Sequence, residues 1–309
     1  MYDTLHFYLT REKAGNINLP LISQTLSGFT EINKETETIY TGYLNQNFKV
    51  TISDHAIKFK GSLPKYFLND NFNTLTRSDT QRALEQMSDE LHLSVHLADL
   101  TRIDFARNFI MQFEPEIYYN YLGDCQHYQR LTQPHSLYYS NNLKQKLFYN
   151  KKLEGEAKKL VIPESWSNQN ALRYEMRYTG RLPKQFNKAE VTTAMLSDEK
   201  FYMELFDRWH QEYQSINKLK NINFNLSNMS SPKDFMKQLQ LKAIQDIGQE
   251  NIMQVIEEMR AKNIFTNPEY YSRLKKDIRQ LCKEPDLTEQ SDLISELDQK
   301  IKNAKKYYR

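Results

Sequence analysis

Apolar and polar residues alternate along much of the first half of the chain. Leu5, Phe7 and Leu9 alternate with His6 and Tyr8, a period of two that predicts a strand. Residues 37–44 are rich in Thr, Ile and Tyr and predict another. FKVTISDHAIKFKGSL predicts a hairpin, with Phe48, Val50 and Ile52 on one face, a turn near Asp54, and Ile57 and Phe59 on the return strand. GSLPKYFLNDNFNTLT is expected to be a loop, broken by Gly61, Pro64, Asn69 and Asn71. Thr76 with Asp79 starts a helix on which Ala83, Leu84, Met87 and Leu91 recur at helical spacing. LTRIDFARNFIM is a strand with Ile103, Phe105, Phe109 and Met111 inward and Arg102, Asp104, Ala106 and Asn108 on the other face.

KLFYNKK extends the alternation, with Leu147, Tyr149 and Lys151 on one face. ALRYEMRY sets Leu172, Tyr174, Met176 and Tyr178 against Arg173, Glu175 and Arg177. After Pro183 the period changes. Ser197 is placed to cap a helix carrying Phe201, Leu205, Trp209 and Tyr213. A polar linker, NINFNLSNMSSP, leads to three or four amphipathic helices and the basic tail KNAKKYYR. The expected fold is α+β: an antiparallel-sheet, nuclease-like domain with packed helices over residues 1–220, followed by a helical region over residues 221–309. No internal repeat is visible in the sequence.

Composition narrows the function. The 309 residues hold 8 glycines, and neither G-x-x-x-x-G-K-[ST] nor G-x-G-x-x-G occurs, which argues against a P-loop ATPase and a Rossmann dehydrogenase. Two cysteines, Cys125 and Cys282, build neither a disulfide framework nor a Cys-rich zinc site and suggest a reducing compartment. No run of about 18 apolar residues exists, and MYDTLHFYLT lacks the pattern of a secretory signal, so a cytoplasmic protein without a membrane segment is expected. A net charge of +3 does not by itself announce nucleic acid, so any DNA contact must come from local patches. The 20 tyrosines and 16 phenylalanines suit base stacking, a core or a nucleophile equally.

The candidate chemistry is acidic and phenolic. Asp104 lies on an otherwise apolar strand, where it needs either a partner such as Arg102 or a cation. Glu175 stands between Arg173 and Arg177, the pattern of an ion-pair ladder. Tyr149 lies two residues from Lys151, whose ammonium suits a phenolate or a phosphate under attack; a half-buried tyrosine with a snorkelling lysine gives the same pattern. No two histidines are two residues apart. A metal site would therefore rest on carboxylates and favour Mg²⁺ or Mn²⁺.

Four blocks, KGSLPKYFLNDN, LTRIDFARNF, KLFYNKKLE and LRYEMRY, resemble in order and spacing the replication initiators of the filamentous-phage gene II/gene X family, over roughly residues 45 to 190. The resemblance implies rolling-circle initiation, in which one strand is cut at an origin and the protein stays joined through a tyrosine. It implies Tyr149 as nucleophile with Lys151 beside it, and Asp104, Glu175 and Glu154 as metal ligands. Tyr138, next to Tyr139 in the preceding strand, competes as nucleophile. The expected partner is single-stranded or hairpin origin DNA, contacted by Lys60, Lys65, Lys144, Lys146, Lys152, Arg173 and Arg177, with a host helicase and a second copy as further candidates. Two alternatives stand beside this reading: a non-catalytic DNA-binding control protein, and a metal-independent tyrosine recombinase.

Overall fold

The computed structural model describes residues 1–306 other than 36, 223–229 and 284–287; the middle of the polar linker and the last residues of the basic tail lie outside the described residues. The strands are β1 (Tyr2–Thr10), β2 (Ser27–Asn33), β3 (Thr38–Leu44), β4 (Phe48–Ile52), β5 (Ala56–Ser62), β6 (Asp99–Met111), β7 (Leu122–Cys125), β8 (Gln129–Gln133), β9 (Ser136–Ser140), β10 (Lys144–Asn150), β11 (Asn170–Thr179), β12 (Ile216–Lys218), β13 (Lys220–Ile222) and β14 (Thr288–Gln290). The helices are α1 (Arg11–Ala14), α2 (Leu19–Thr25), α3 (Leu63–Leu68), α4 (Arg77–Leu91), α5 (Pro115–Tyr119), α6 (Lys151–Ala157), α7 (Glu164–Ser167), α8 (Leu182–Phe186), α9 (Glu199–Gln214), α10 (Pro232–Ile247), α11 (Gln249–Ala261), α12 (Glu269–Leu281) and α13 (Asp292–Lys306). The fold is α+β, with a large antiparallel sheet and a helical C-terminal region.

Two compact units divide the chain: residues 1–115 with 127–213, and residues 116–126 with 214–309. In the first, ten strands form one sheet in the order β2-β3-β4-β5-β1-β6-β11-β10-β9-β8. All neighbours in it are antiparallel. One face is the core. Phe7 stacks on Phe59 at 4.7 Å and Phe148 on Tyr174 at 4.6 Å. α9 lays Phe206 and Trp209 against Phe105 and Tyr174. Each such ring, fully buried, stabilises the fold by roughly 2–3 kcal/mol.

The strand order repeats a unit that the sequence marks only at its two short helices, so the expectation of no internal repeat is corrected. β1 joins the meander β2–β5 through β5, and β6 joins the meander β8–β11 through β11. Each meander ends in a short helix and then a long one, α3–α4 and α8–α9. Gly61-Ser62-Leu63-Pro64-Lys65 and Gly180-Arg181-Leu182-Pro183-Lys184 open the two short helices. Both end on a left-handed asparagine, Asn69 and Asn187. Apart from this shared G-x-L-P-K and the closing asparagine, the repeat lies in topology, because the buried faces need only matching periodicity and not matching residues.

Several local expectations change. The segment 61–76 is not all loop: Ser62 caps α3, whose first turn accepts Pro64 because that position needs no amide donor. Asp198, rather than Ser197, accepts from the Phe201 amide at the start of α9. The strand at 144–150 stops at Asn150, whose side chain accepts from the Leu153 amide, so Lys151 begins α6 instead of continuing β10. Thr76 and Asp79 form the full capping box of α4, as predicted.

In the second unit β7 pairs with β12 and β13 with β14. α10 packs on α11 and α11 on α12. Arg279 holds Asp124 with its Nε at 2.7 Å, and the Tyr118 hydroxyl donates to Glu296.

Candidate functional site

Residues directly opposite each other in antiparallel strands point to the same side. Arg177 is opposite Asp104, Glu175 opposite Ala106, Arg173 opposite Asn108, and Tyr149 opposite Arg173. Register alone therefore gathers Asp104, Tyr149, Arg173, Glu175 and Arg177 on the face away from the core. That face is closed at the cluster: Asp104 and Glu175 are each only 1% exposed and Arg173 2%.

The buried charges are fully engaged. Arg102 donates through Nε to Asp104 Oδ1 at 2.7 Å and through Nη2 to Oδ2 at 2.6 Å. Arg177 Nε donates to Glu175 Oε1 at 2.6 Å and lies 3.7 Å from Asp104 Oδ2, so the two acids share one guanidinium. Arg173 reaches Glu175 Oε2 at 3.1 Å, the Asn71 carbonyl at 3.0 Å, Asn108 Oδ1 at 3.3 Å, and Asp3. The Tyr149 hydroxyl donates to Glu175 Oε2 at 3.2 Å. A buried ion pair repays its desolvation only with such multiple hydrogen bonds.

These contacts divide the two acids. Burial pushes the Asp104 carboxyl up to about 7, Arg102 opposing and Glu175 adding to the shift. Burial also pushes Glu175 up, but Arg173 and Arg177 overcome it and hold that carboxyl down at about 2. Burial raises the Tyr149 phenol above its ordinary value, with Arg173 opposing.

Glu154 stands apart from the pair. It sits on α6, where it accepts from Lys151 at 2.7 Å and pairs with Lys158. Burial opposes its ionisation and Lys151 restores it, leaving the carboxyl below its usual range. Lys151 in turn donates to Asn71 Oδ1 at 2.9 Å, and burial lowers its ammonium to about 8. Among the described residues no three of His, Cys, Asp or Glu cluster as a metal cage. Asp104 and Glu175 converge on Arg177; Glu154 does not join them.

The remaining candidates scatter. Tyr138 shares the face of Tyr149, but it is opposite Leu147, itself opposite Glu175, so two strand spacings, roughly 10 Å, separate it from that acid. Lys144 and Lys146 turn to the core face, where both pair with Glu212 of α9, at 2.7 and 2.9 Å. Lys146 is 0% exposed and sits 4.2 Å from the centre of the Tyr128 ring. Lys60 is exposed, and Lys65 and Lys152 are half-buried on α3 and α6. Asp3 escaped the sequence reading, and Asn71 and Asn108 enter it only as a loop breaker and a residue on the face of Asp104. Asp3 also accepts from Ser62 at 2.7 Å, and Asn108 donates to the Asn71 and Phe72 carbonyls at 3.2 and 2.7 Å.

The family of phage replication-associated proteins of the gene II type, described by its N-terminal part, matches residues 1–212. The chain belongs to that family. The match takes in β1 through α9, up to Glu212, and so contains every residue of the buried cluster. Membership makes this a replication-initiation protein of the filamentous-phage gene II type. Among curated proteins, none matches the chain. Among the described residues, no helix is long and apolar enough to cross a membrane.

Proposed function

We propose that this member of the gene II replication family starts rolling-circle replication by cutting one DNA strand with Tyr149. The observation that carries the reading is the convergence of the Tyr149 hydroxyl on Glu175, beside Asp104 and within a ring of Arg102, Arg173 and Arg177. The phenolic oxygen attacks phosphorus in line, the O–P bond forms, and the bond to the 3′ oxygen breaks. The 3′ oxygen leaves as a hydroxyl and the 5′ phosphate stays on the tyrosine. The bond energy is stored in the phosphotyrosine link, so rejoining needs no nucleoside triphosphate.

The phenol must lose its proton, and its burial makes that costly. Arg173 lowers the cost as a fixed cation 6.0 Å from the ring centre; the proton leaves through the Glu175 Oε2 contact as the O–P bond forms and, because that carboxylate is a weak base, is passed on to the departing 3′ oxygen. Two carboxylates plus phosphate oxygens suit Mg²⁺ or Mn²⁺, so Asp104 and Glu175 are the residues to hold such an ion. Arg102 and Arg177, about a quarter exposed, would swing outward to admit it. A bound ion would polarise the scissile phosphate and neutralise developing charge. Glu154, engaged by Lys151 and Lys158, is assigned to positioning Lys151 instead.

A second reading follows from the three guanidiniums, which by themselves complement a phosphate without any metal. One experiment separates the readings. Labelled single strands tiling the replicon's origin are incubated with the protein and resolved on a denaturing gel. Adducts that need Mg²⁺ or Mn²⁺ and vanish in Tyr149→Phe support the first reading. Adducts that persist in a chelator support the second, and DNA binding without any adduct rejects both.

A further inference from the structure

The face of the sheet that is closed over the cluster is open over the half formed by β1 to β5, and the register there lines up one row across strands. Tyr43 is opposite Lys49, Lys49 opposite Lys60, Lys60 opposite His6, and His6 opposite Arg102. Beside it runs Thr51, opposite Lys58, opposite Tyr8. Tyr43, Lys49, Lys58 and Lys60 are exposed, while Val50, Phe59 and Phe7 on the reverse side are buried.

The charge on this face is one-sided. Among the strand residues of β2, β3, β4, β5 and β1 it carries no acid beyond Asp3 at the cluster, and the acid opposite Tyr8, Asp99, is held by Lys13 at 2.9 Å. Like charges set directly opposite, as Lys49 and Lys60 are, destabilise a sheet. His6, between Lys60 and Arg102, is held neutral by burial and by those two cations, which lower it to about 4. An arrangement that costs stability in the free chain is relieved by an anionic ligand. Tyr43 and Tyr8 add flat rings to it, the combination that suits a single strand, whose unpaired bases stack while its phosphates meet the lysines.

We propose that this row is a track for single-stranded DNA, which carries the strand across β4, β5 and β1 to Arg102 at the rim of the Asp104–Glu175–Tyr149 cluster. The track rests on the reading that the chain acts on DNA. It does not require Tyr149 to be the nucleophile.

The test uses the full chain with Tyr138→Phe and Tyr149→Phe combined, so that neither candidate nucleophile forms a covalent link in the measurement. Anisotropy of a fluorescein-labelled single strand of about 30 nucleotides is read across a salt series. Combined Lys49→Ala, Lys58→Ala and Lys60→Ala is expected to weaken binding at least tenfold at low salt, and to flatten log K against log salt by about 2, since each lost phosphate contact removes about 0.7 from the slope. Tyr43→Ala is expected to weaken it about fivefold or more, with Tyr43→Phe restoring affinity. Lys200→Ala, an exposed lysine on α9, which packs on the opposite face, is expected to change neither quantity. Wild-type affinity and slope in the triple variant would overturn the track, as would a larger loss for a duplex of the same sequence than for the single strand. Absence of any adduct in the wild-type chain sinks the nicking reading and leaves this binding result standing.

Discussion

Tyr149 donates its hydroxyl proton to the same oxygen of Glu175, Oε2, that accepts from Arg173 Nε. One carboxylate oxygen thus holds the phenol in place and ties it to a guanidinium. Tyr149→Phe leaves the Arg173 bond intact and should cost only about 1 kcal/mol in urea unfolding. The same substitution should abolish the DNA adduct on a denaturing gel. Tyr138→Phe should leave the adduct in place; loss with Tyr138→Phe and retention with Tyr149→Phe would transfer the role to Tyr138.

Arg173 is the hub of the cluster. Arg173→Met strands Asp3 and Glu175 together in a closed site and is expected to cost about 3–5 kcal/mol. Arg173→Lys should recover little of that, because an ammonium cannot reproduce a fork that serves Asp3, Glu175, Asn71 and Asn108 at once. Urea midpoints of the two variants decide the point.

The two acids predict opposite pH behaviour. Glu175 is held down at about 2, from an ordinary value of 4.5. Its contribution to stability is full above the ordinary value and is lost as the pH falls toward 2. Asp104 is raised from 3.8 to about 7, so the folded chain binds its proton more tightly than the unfolded chain does. Stability therefore declines as the pH rises from about 4 to about 7 and levels off above. Asp104→Asn should gain on the wild type across that window. Glu175→Gln should lose most near neutrality. Chemical denaturation at pH 3, 5 and 8 reads both slopes.

Lys146 offers a separate check. With its charge engaged by Glu212 and the Tyr128 ring, Lys146→Met should destabilise the chain by about 1–3 kcal/mol, because it leaves Glu212 one cation short. Affinity for single-stranded DNA and its salt slope should stay at wild-type values. A shallower slope would return Lys146 to the DNA-contacting set.

What was legible in the sequence was local. The period of two in β6 and β11 set Asp104 and Glu175 each on the polar face of its own strand, and Arg102 two residues from Asp104 signalled their pairing. The capping box at Thr76 needed only three residues of spacing. What was hidden depended on distant neighbours. Asp3 meets Arg173 across a separation of 170 residues, which no pattern in a single window reports. Lys144 and Lys146 have the parity of Phe148, a signal that they face the core, but their partner Glu212 lies on another helix. The end of β10 was within reach: an asparagine followed by KKLEGEA is an N-cap pattern, and it takes Lys151 out of the strand.

The paired architecture of the sheet has a consequence for how this chemistry is owned. Asp3, Ser62 and Asn71 come from the part of the chain that ends with α4, and Asp104, Tyr149, Arg173 and Glu175 from the part that begins with β6. The seam between β1 and β6 is therefore where the buried cluster is assembled. A polypeptide severed between Leu91 and Asp99 would hold two incomplete sets of parts, each with its own meander and helices, and the cluster would close only in the reunited pair.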